Sequence, residues 1–217
     1  MREVFTRESE DLASLVRKIT DALAAARFTD AHAAVEQMPQ YSQSPATRLF
    51  AAHTRLRLAA YQEQQIENGA LADELDLAFE ALNNAPGDWP SYWYVLGWLM
   101  LPFASGRKID IYYQMHLAGQ LQLPALRQEL LAYAAYYGME HREYGFMTFL
   151  RHHYPFDEDW VWVPFYQAML ELFLAIYQRM PDQISQAAES MHRTAENPLH
   201  VHLVSTLSRK YEHLIAS

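Results

Sequence analysis

The scarcity of residues that interrupt helices is the feature that most constrains how this chain can fold. Only seven glycines occur in 217 residues. β-Branched residues are sparse, whereas Ala, Leu, Gln, Glu and Met are frequent, and this composition favours helix over strand. No stretch keeps the strict alternation of apolar and polar residues that a half-buried strand requires. The composition therefore predicts an all-α fold.

Proline and glycine divide the chain into predicted helices. Pro45, Pro181 and Pro198 stand where a first helical turn tolerates proline. Four glycines mark expected helix ends: Gly69, Gly87, Gly106 and Gly138. The segments between these marks are eleven predicted helices: residues 8–26, 29–39, 44–66, 70–85, 89–105, 107–121, 124–138, 140–153, 160–180, 182–196 and 198–215.

The links between these helices are mostly short, which favours antiparallel neighbours. The second helices of the resulting hairpins begin at regular intervals, near residues 29, 70, 107, 140 and 182. Steps of roughly 33 to 42 residues are typical of helical-repeat arrays. We therefore expect antiparallel helical hairpins stacked as a short, irregular α-solenoid, in a single domain over residues 1–217 with the helix at 198–215 as its cap.

A local motif suggests the type of repeat. Trp93-x-x-Leu96-Gly97 resembles the first helix of a tetratricopeptide repeat, and residues 81–86, with the pattern A-L-x-x-x-P, resemble the end of the repeat before it. The resemblance implies that Trp93 and Leu96 lie on the inward face of one helix. It also implies that Gly97 lets the partner helix approach closely.

A weaker match to the same repeat occurs earlier in the chain. Phe28, Ala31 and Val35 match the aromatic, small and large apolar positions of a repeat's second helix. The fold is therefore expected to resemble tetratricopeptide repeats in its hairpins.

Charge, cysteine content and hydropathy exclude several classes of protein. The formal charge of −9 opposes binding to nucleic acid. The chain has no cysteine, which fits a reducing compartment. The N-terminus carries charges where an export signal needs an apolar run. The longest apolar run, residues 92–104, is too short for the roughly 20 residues of a membrane-spanning helix. We expect a cytoplasmic protein.

No constellation of residues predicts catalysis, a metal or a cofactor. Glu189 and His192 form one ExxH pair, but a di-metal carboxylate site needs a second pair, which the chain lacks. His152 and His153 are adjacent and diverge by about 100° on a helix. His116, inside an apolar helix, is expected to be a hydrogen-bonded interior histidine.

The link between the eighth and ninth predicted helices is a candidate contact with another protein. It carries three consecutive acids, Asp157, Glu158 and Asp159, followed by Trp160 and Trp162. In a structural interpretation the acids favour the N-terminus of the next helix and the tryptophans fasten the link. In a functional interpretation the same residues bind a partner, because aromatic side chains beside charges are common in binding hot spots.

Two further aromatic residues are candidate partner contacts. Tyr94 and Trp98 are four residues apart and form a different stripe from Trp93 and Leu96. We expect Trp93 in the core, and Tyr94 or Trp98 on an inner surface or against the next hairpin.

These observations favour a non-enzymatic protein-interaction module, such as an adaptor, a secretion chaperone or a toxin-neutralising immunity protein. Stacked hairpins expose an extended surface that suits a protein or peptide partner. The acidic net charge favours a partner with a basic patch. The alternative is an all-α enzyme or small-ligand binder, whose pocket would be lined by Tyr112, His116, Tyr136, Glu140 and His141. A homodimer is also possible.

Overall fold

The computed structural model describes residues 10–66, 68–82, 87–153 and 163–215. Over these residues the backbone forms twelve α-helices and no strand. In chain order the helices are α1 (Glu10–Ala24), α2 (Phe28–Val35), α3 (Pro45–Tyr61), α4 (Asn68–Glu80), α5 (Asp88–Ser105), α6 (Ile111–Gly119), α7 (Pro124–Glu140), α8 (Tyr144–His153), α9 (Pro164–Gln178), α10 (Pro181–Arg193), α11 (Pro198–Lys210) and α12 (Glu212–Ile215). The prediction of an all-α fold is confirmed for the part of the chain that is described.

Each of the eleven predicted helices corresponds to a helix of the structure, with ends that differ by a few residues. The last predicted helix is divided at Tyr211 into α11 and α12. Prolines begin α3, α7, α9, α10 and α11, as their fixed φ allows. Polar side chains cap three helix starts: Ser44 accepts from the Thr47 amide at 3.2 Å, Asp110 from that of Tyr113 at 3.1 Å and Asn197 from that of His200 at 2.9 Å.

Two of the four glycines that were expected to end helices lie inside them instead. Gly69 belongs to α4 and Gly138 to α7. A Cβ atom on Gly138 would lie 2.7 Å from the sulfur of Met147 on α8. The glycine is therefore needed for close helix packing rather than for a turn. Gly106, with φ of 71°, does end α5 as predicted.

A left-handed residue follows α1, α3, α5, α7 and α9. These residues are Ala26, Glu63, Gly106, Arg142 and Arg179. In four cases the next amide donates to a carbonyl five residues earlier, as in a Schellman closure: Arg27 to Ala22, Gln64 to Ala59, Glu143 to Gly138 and Met180 to Ala175. The step from residue 26 to 63 equals the step from 142 to 179. Over all five positions the steps are 37, 43, 36 and 37 residues, which lies within the range of helical-repeat periods.

The chain consists of two compact units, Met1–Ile109 (unit 1) and Asp110–Ser217 (unit 2). In unit 1, α3 packs against α2, α4 and α5, and α1 packs against α2. In unit 2, α9 packs against α7, α8 and α10, and the C-terminal helices pack against α10. Each unit has its own buried apolar core. The single-domain organisation remains a prediction.

Among the described residues, no helix combines the length and the apolar character that crossing a bilayer requires.

Candidate functional site

Trp93 lies in the core of unit 1, as predicted. Its side chain is 1% exposed, and Leu96 on the same helix is fully buried. The indole meets Phe50 edge-on at 5.1 Å between ring centroids and stacks on His53 at 6.1 Å. The ring is therefore a packing anchor between α3 and α5.

His53 is a buried, neutral component of this core. Burial, with a further contribution from the charge of Arg57, lowers its pKa to about 3. Its Nδ1 lies 2.8 Å from the carbonyl oxygen of Phe50, and Trp93 covers one face of the ring. This histidine has a structural role, since general acid or base chemistry near neutral pH requires a pKa closer to that pH.

Tyr94 and Trp98 both face α4 and share one acceptor. The Tyr94 hydroxyl donates to Oδ1 of Asp76 at 2.8 Å, and the Trp98 indole N–H donates to the same oxygen at 3.2 Å. Tyr94 also stacks on Phe79 at 4.1 Å and is only 7% exposed. Trp98 is half-buried beneath the guanidinium of Arg107, 5.4 Å from the ring centroid. This stripe mainly joins α5 to α4, the helix that precedes it in the chain.

The acidic and tryptophan-rich link falls outside the described residues. This applies to all five of its candidate contacts: Asp157, Glu158, Asp159, Trp160 and Trp162. Their role in partner binding remains a prediction.

The expectation that His116 is an interior histidine is wrong. The buried residues of α6 are Ile111, Gln114, Met115 and Ala118. This helical spacing places residue 116 on the opposite, exposed face. The imidazole Nε2 of His116 lies 3.2 Å from the side-chain nitrogen of Gln120.

The remaining residues of the alternative pocket lie in three different environments within unit 2. Tyr112 packs on α8 and is 50% exposed. His141 stacks on Tyr137 at 4.5 Å. Only Tyr136 and Glu140, one turn apart on α7, contribute to the same cluster. A pocket lined by all five residues remains a prediction.

The cluster around Glu140 holds the C-terminal helices against α7. Its carboxylate accepts the hydroxyl of Tyr211 and pairs with the ammonium of Lys210, which also donates to the Tyr136 hydroxyl at 3.2 Å. Burial, followed by the bond to Glu140 and its charge, raises the pKa of Tyr211 above its usual range. Burial lowers the pKa of Lys210, but its contacts with Glu140 and Tyr136 outweigh this effect and raise it overall. The hydroxyl and the ammonium thus remain protonated donors at neutral pH.

An open groove of about 440 Å³ lies between α9 and α10. Leu174, Ala175 and Ala187 give it an apolar floor. Its polar walls are formed by six residues: Glu171, Gln178, Gln183, Gln186, Ser190 and Arg193. None of the five residues of the predicted pocket lines it.

Residues of catalytic type approach one another at the surface of unit 2. The Ser208 hydroxyl lies 3.5 Å from Nε2 of His192, at the limit of a hydrogen bond, and Glu189 precedes His192 by one helical turn. Glu189 and His192 are exposed to solvent, and Ser208 is half-buried. Over the described ranges, no group of three or more His, Asp or Glu residues could hold a metal ion.

An aromatic surface of unit 2 is exposed on both sides of α8. We define the α8 surface as Tyr112, Tyr144, Thr148, Phe149 and Tyr177. Tyr112 is 50% exposed and Tyr144 is 52% exposed, while Phe149 and Tyr177 are half-buried. Exposed aromatic side chains are typical of contact surfaces.

Contacts to α6 build one side of the α8 surface. The ring of Tyr112 meets Phe149 at 5.7 Å and Phe146 at 5.6 Å. A Cβ atom on Gly145 would lie 3.5 Å from the Tyr112 hydroxyl, an ordinary van der Waals distance, so the end of this ring lies close to the backbone of α8.

Contacts to α9 build the other side. Tyr144 stacks on Tyr177 with 6.1 Å between ring centroids, and the Thr148 and Tyr177 hydroxyls are 2.7 Å apart. Thr148 also donates to the Tyr144 carbonyl oxygen. These contacts restrict the motion of the exposed rings, which lowers the entropic cost of binding.

Sequence reasoning missed the α8 surface. The signal available was the pair Tyr144 and Thr148 at i, i+4, opposite the buried residues Phe146, Met147 and Leu150. This spacing reveals an exposed aromatic residue, but not its neighbours on α6 and α9.

Comparisons of the chain with protein-family models, with curated proteins and with solved structures found no match.

Proposed function

We propose that this chain is a non-enzymatic interaction module that binds a protein or peptide partner through the α8 surface. The half-exposure of Tyr112 and Tyr144, with both rings held by neighbouring helices, is the observation that carries the proposal. Tyrosine is enriched in binding hot spots because it combines a large apolar area with a polar tip and few rotatable bonds. An adaptor, a secretion chaperone and an immunity protein would all use such a surface.

The proposal includes a helical-repeat architecture in a cytoplasmic protein. The regular spacing of left-handed helix ends supports an array of related hairpins that resemble tetratricopeptide repeats and stack as a short α-solenoid. The lack of cysteine supports a reducing compartment.

The proposal places the principal contact away from Tyr94. Burial and the bond to Asp76 commit its hydroxyl to the packing of α4 on α5. Trp98 retains an exposed edge, and with the segment containing Asp157 to Trp162 it remains a candidate for secondary contacts.

Capture from the source cell with paired variants tests the proposal. Tyr112→Ser and Tyr144→Ser each remove a half-exposed ring, and each is expected to weaken retention of the partner by about 2 kcal/mol, as at a hot spot. Tyr41→Ser is the matched control, because Tyr41 is 47% exposed in unit 1. The mass of the free protein in solution identifies self-association.

Three outcomes of these experiments can be distinguished. Loss of a retained protein with the unit 2 variants, but not with Tyr41→Ser, supports the α8 surface. Equal retention by all three folded variants rejects it, and a dimer broken by Tyr144→Ser would assign the surface to self-association.

The groove between α9 and α10 favours a second candidate, a small-ligand binder. Its volume of about 440 Å³ falls in the range of ligand sites, and polar groups surround an apolar floor. Its openness to solvent makes it less suited to enclosing a substrate than a closed cavity would be. A ligand that raises the melting temperature of the wild-type protein but not of Ala187→Trp, which fills the groove, would favour this function.

A further inference from the structure

We propose that the α8 surface recognises an acidic segment of its partner, in which carboxylates flank apolar side chains. The inference rests on the proposed function and specifies its ligand. It also differs from the expectation of a basic partner, which was based on net charge alone.

Residues 141–153, which include α8, carry a net positive charge, opposite in sign to that of the whole chain. Residues 141–153 contain Arg142 and Arg151 against a single acid, Glu143, whereas the formal charge of the protein is −9. Arg142 and Arg151 are both exposed. The potential felt by a partner at short range depends on these nearby charges, since salt screens distant ones within about 10 Å.

The arginines lie near the two ends of α8. Arg142 occupies the left-handed turn directly before α8, and Tyr144 follows it by two residues. Arg151 lies two turns beyond Tyr144 on the same helical face, about 10 Å along the axis. A third exposed cation, Arg179, follows Tyr177 in the turn after α9.

These cations are available to a ligand. The ion pairs between described residues include those of Arg27, Arg55 and Lys210. Arg142, Arg151 and Arg179 form no ion pair within the described part of the chain. A guanidinium accepts a carboxylate through two parallel hydrogen bonds, so each can bind one acidic side chain.

The arrangement of charges disfavours two other occupants. In a two-fold dimer the same surface meets itself, which would bring the arginines of one copy towards those of the other. Single-stranded nucleic acid also uses aromatic and basic residues, but it takes a continuous basic groove that follows its backbone, whereas residues 141–153 supply two arginines. In an acidic segment with apolar residues, the apolar side chains would pack on the aromatic rings and the carboxylates would pair with the arginines.

The experiment is a selection from a displayed library of random linear peptides on the full-length protein. The peptides enriched on the wild type are expected to contain Glu and Asp around Leu, Phe or Trp. The double variant Arg142→Glu/Arg151→Glu should bind the best synthetic peptide at least about tenfold more weakly. The matched control is Arg17→Glu/Lys18→Glu, which makes the same change in net charge on exposed residues of unit 1 and should bind normally.

Each other outcome rejects the inference. Enrichment of Lys-rich peptides, failure to enrich any peptide, equal weakening by both double variants, or preferential binding of a single-stranded RNA probe would overturn it. The proposed function is tested separately, because capture that depends on Tyr112 and Tyr144 but tolerates the arginine substitutions would retain the surface and reject the acidic ligand.

Discussion

The hydroxyl groups of Thr148 and Tyr177 lie 2.7 Å apart and join α8 to α9 at the edge of the aromatic surface. Thr148 is exposed and Tyr177 is half-buried, so water competes for this bond. It nevertheless fixes the ring on which Tyr144 stacks. The pair is therefore a structural support for the surface as well as a part of it.

A double-mutant cycle is expected to detect this support. Thr148→Val and Tyr177→Phe each remove one hydroxyl while keeping the shape, and the coupling between them should be about 0.5–1 kcal/mol in urea unfolding. Tyr144→Phe is the control partner, because the structure shows stacking but no hydroxyl bond to Thr148 for this ring. Strict additivity of Thr148→Val with Tyr177→Phe would show that the hydroxyls do not interact in solution.

Gly97→Ala is expected to destabilise the protein although alanine is the better helix former. A Cβ atom at residue 97 would lie 2.9 Å from both methyl groups of Leu75, which is fully buried, and 3.3 Å from the Cβ atom of His53. Overpacking of this kind costs about 1–3 kcal/mol. In Gly119→Ala the new methyl group meets nothing within 4 Å, so this control should be neutral or stabilising by up to about 1 kcal/mol. Equal melting temperatures for both variants would contradict the close approach of α4 to α5.

Glu63→Gly is expected to stabilise the protein without adding any contact. Glu63 adopts φ of 53° in the closure after α3, a conformation that costs a residue with a side chain about 1–2 kcal/mol. Glycine removes this cost but is more flexible in the unfolded chain, so the net gain should be about 0.5–1 kcal/mol. Glu63→Ala keeps the strain and should show no such gain. Chemical denaturation gives the free energy of unfolding of the wild type, Glu63→Gly and Glu63→Ala.

The starts and ends of the helices show where prediction from sequence succeeded and where it failed. Proline at the start of a helix is a strong local signal, so α3, α10 and α11 were located correctly. The left-handed positions at Ala26 and Glu63 carry no glycine, and the ends of α1 and α3 were therefore placed too late. Gly138 was expected to end a helix, but it lies inside α7 and allows close packing against Met147 of α8. The sequence of α7 alone does not reveal this contact.

The candidate site was predictable only in part. The motif around Trp93 correctly indicated the inward face of α5, because its spacing reflects one helix alone. The exposure of Tyr144 depends on which helices cover α8, and the burial of Tyr94 depends on its stacking on Phe79. Side-chain spacing within a single helix does not contain this tertiary information.

Stability is expected to fall in mild acid because of His53. The ordinary pKa of a histidine side chain is 6.5, whereas that of His53 in the folded protein is about 3. Between these values the unfolded chain binds a proton that the folded protein excludes, so the free energy of unfolding decreases as the pH falls from 6.5 towards 3. Above pH 6.5 and below pH 3 the two states bind equally. From pH 7 to pH 5 the wild type should lose about 2 kcal/mol more than His53→Gln. Parallel losses in both proteins would assign the acid sensitivity to other groups.

Tyr211→Phe is expected to loosen the C-terminal helices while leaving the rest of unit 2 in place. The variant keeps the ring that meets Phe173 at 5.9 Å, but removes the hydroxyl that donates to Glu140. Lys210 still pairs with the carboxylate, so Glu140 is not left as an isolated charge. The loss should therefore be about 1–2 kcal/mol, near the lower end for bonds to charged groups.

The location of the destabilisation in Tyr211→Phe shows whether the hydroxyl holds only the C-terminal helices or stabilises unit 2 as a whole. Amide hydrogen exchange should accelerate in α11 and α12 of Tyr211→Phe, whereas α7 and α9 should exchange as in the wild type. Tyr41→Phe, which alters an exposed tyrosine of unit 1, is the control and should change neither measurement. If only the C-terminal helices open, they must separate before the remaining helices of unit 2 unfold. Faster exchange throughout unit 2 would show instead that the contact with Glu140 is part of the cooperative core.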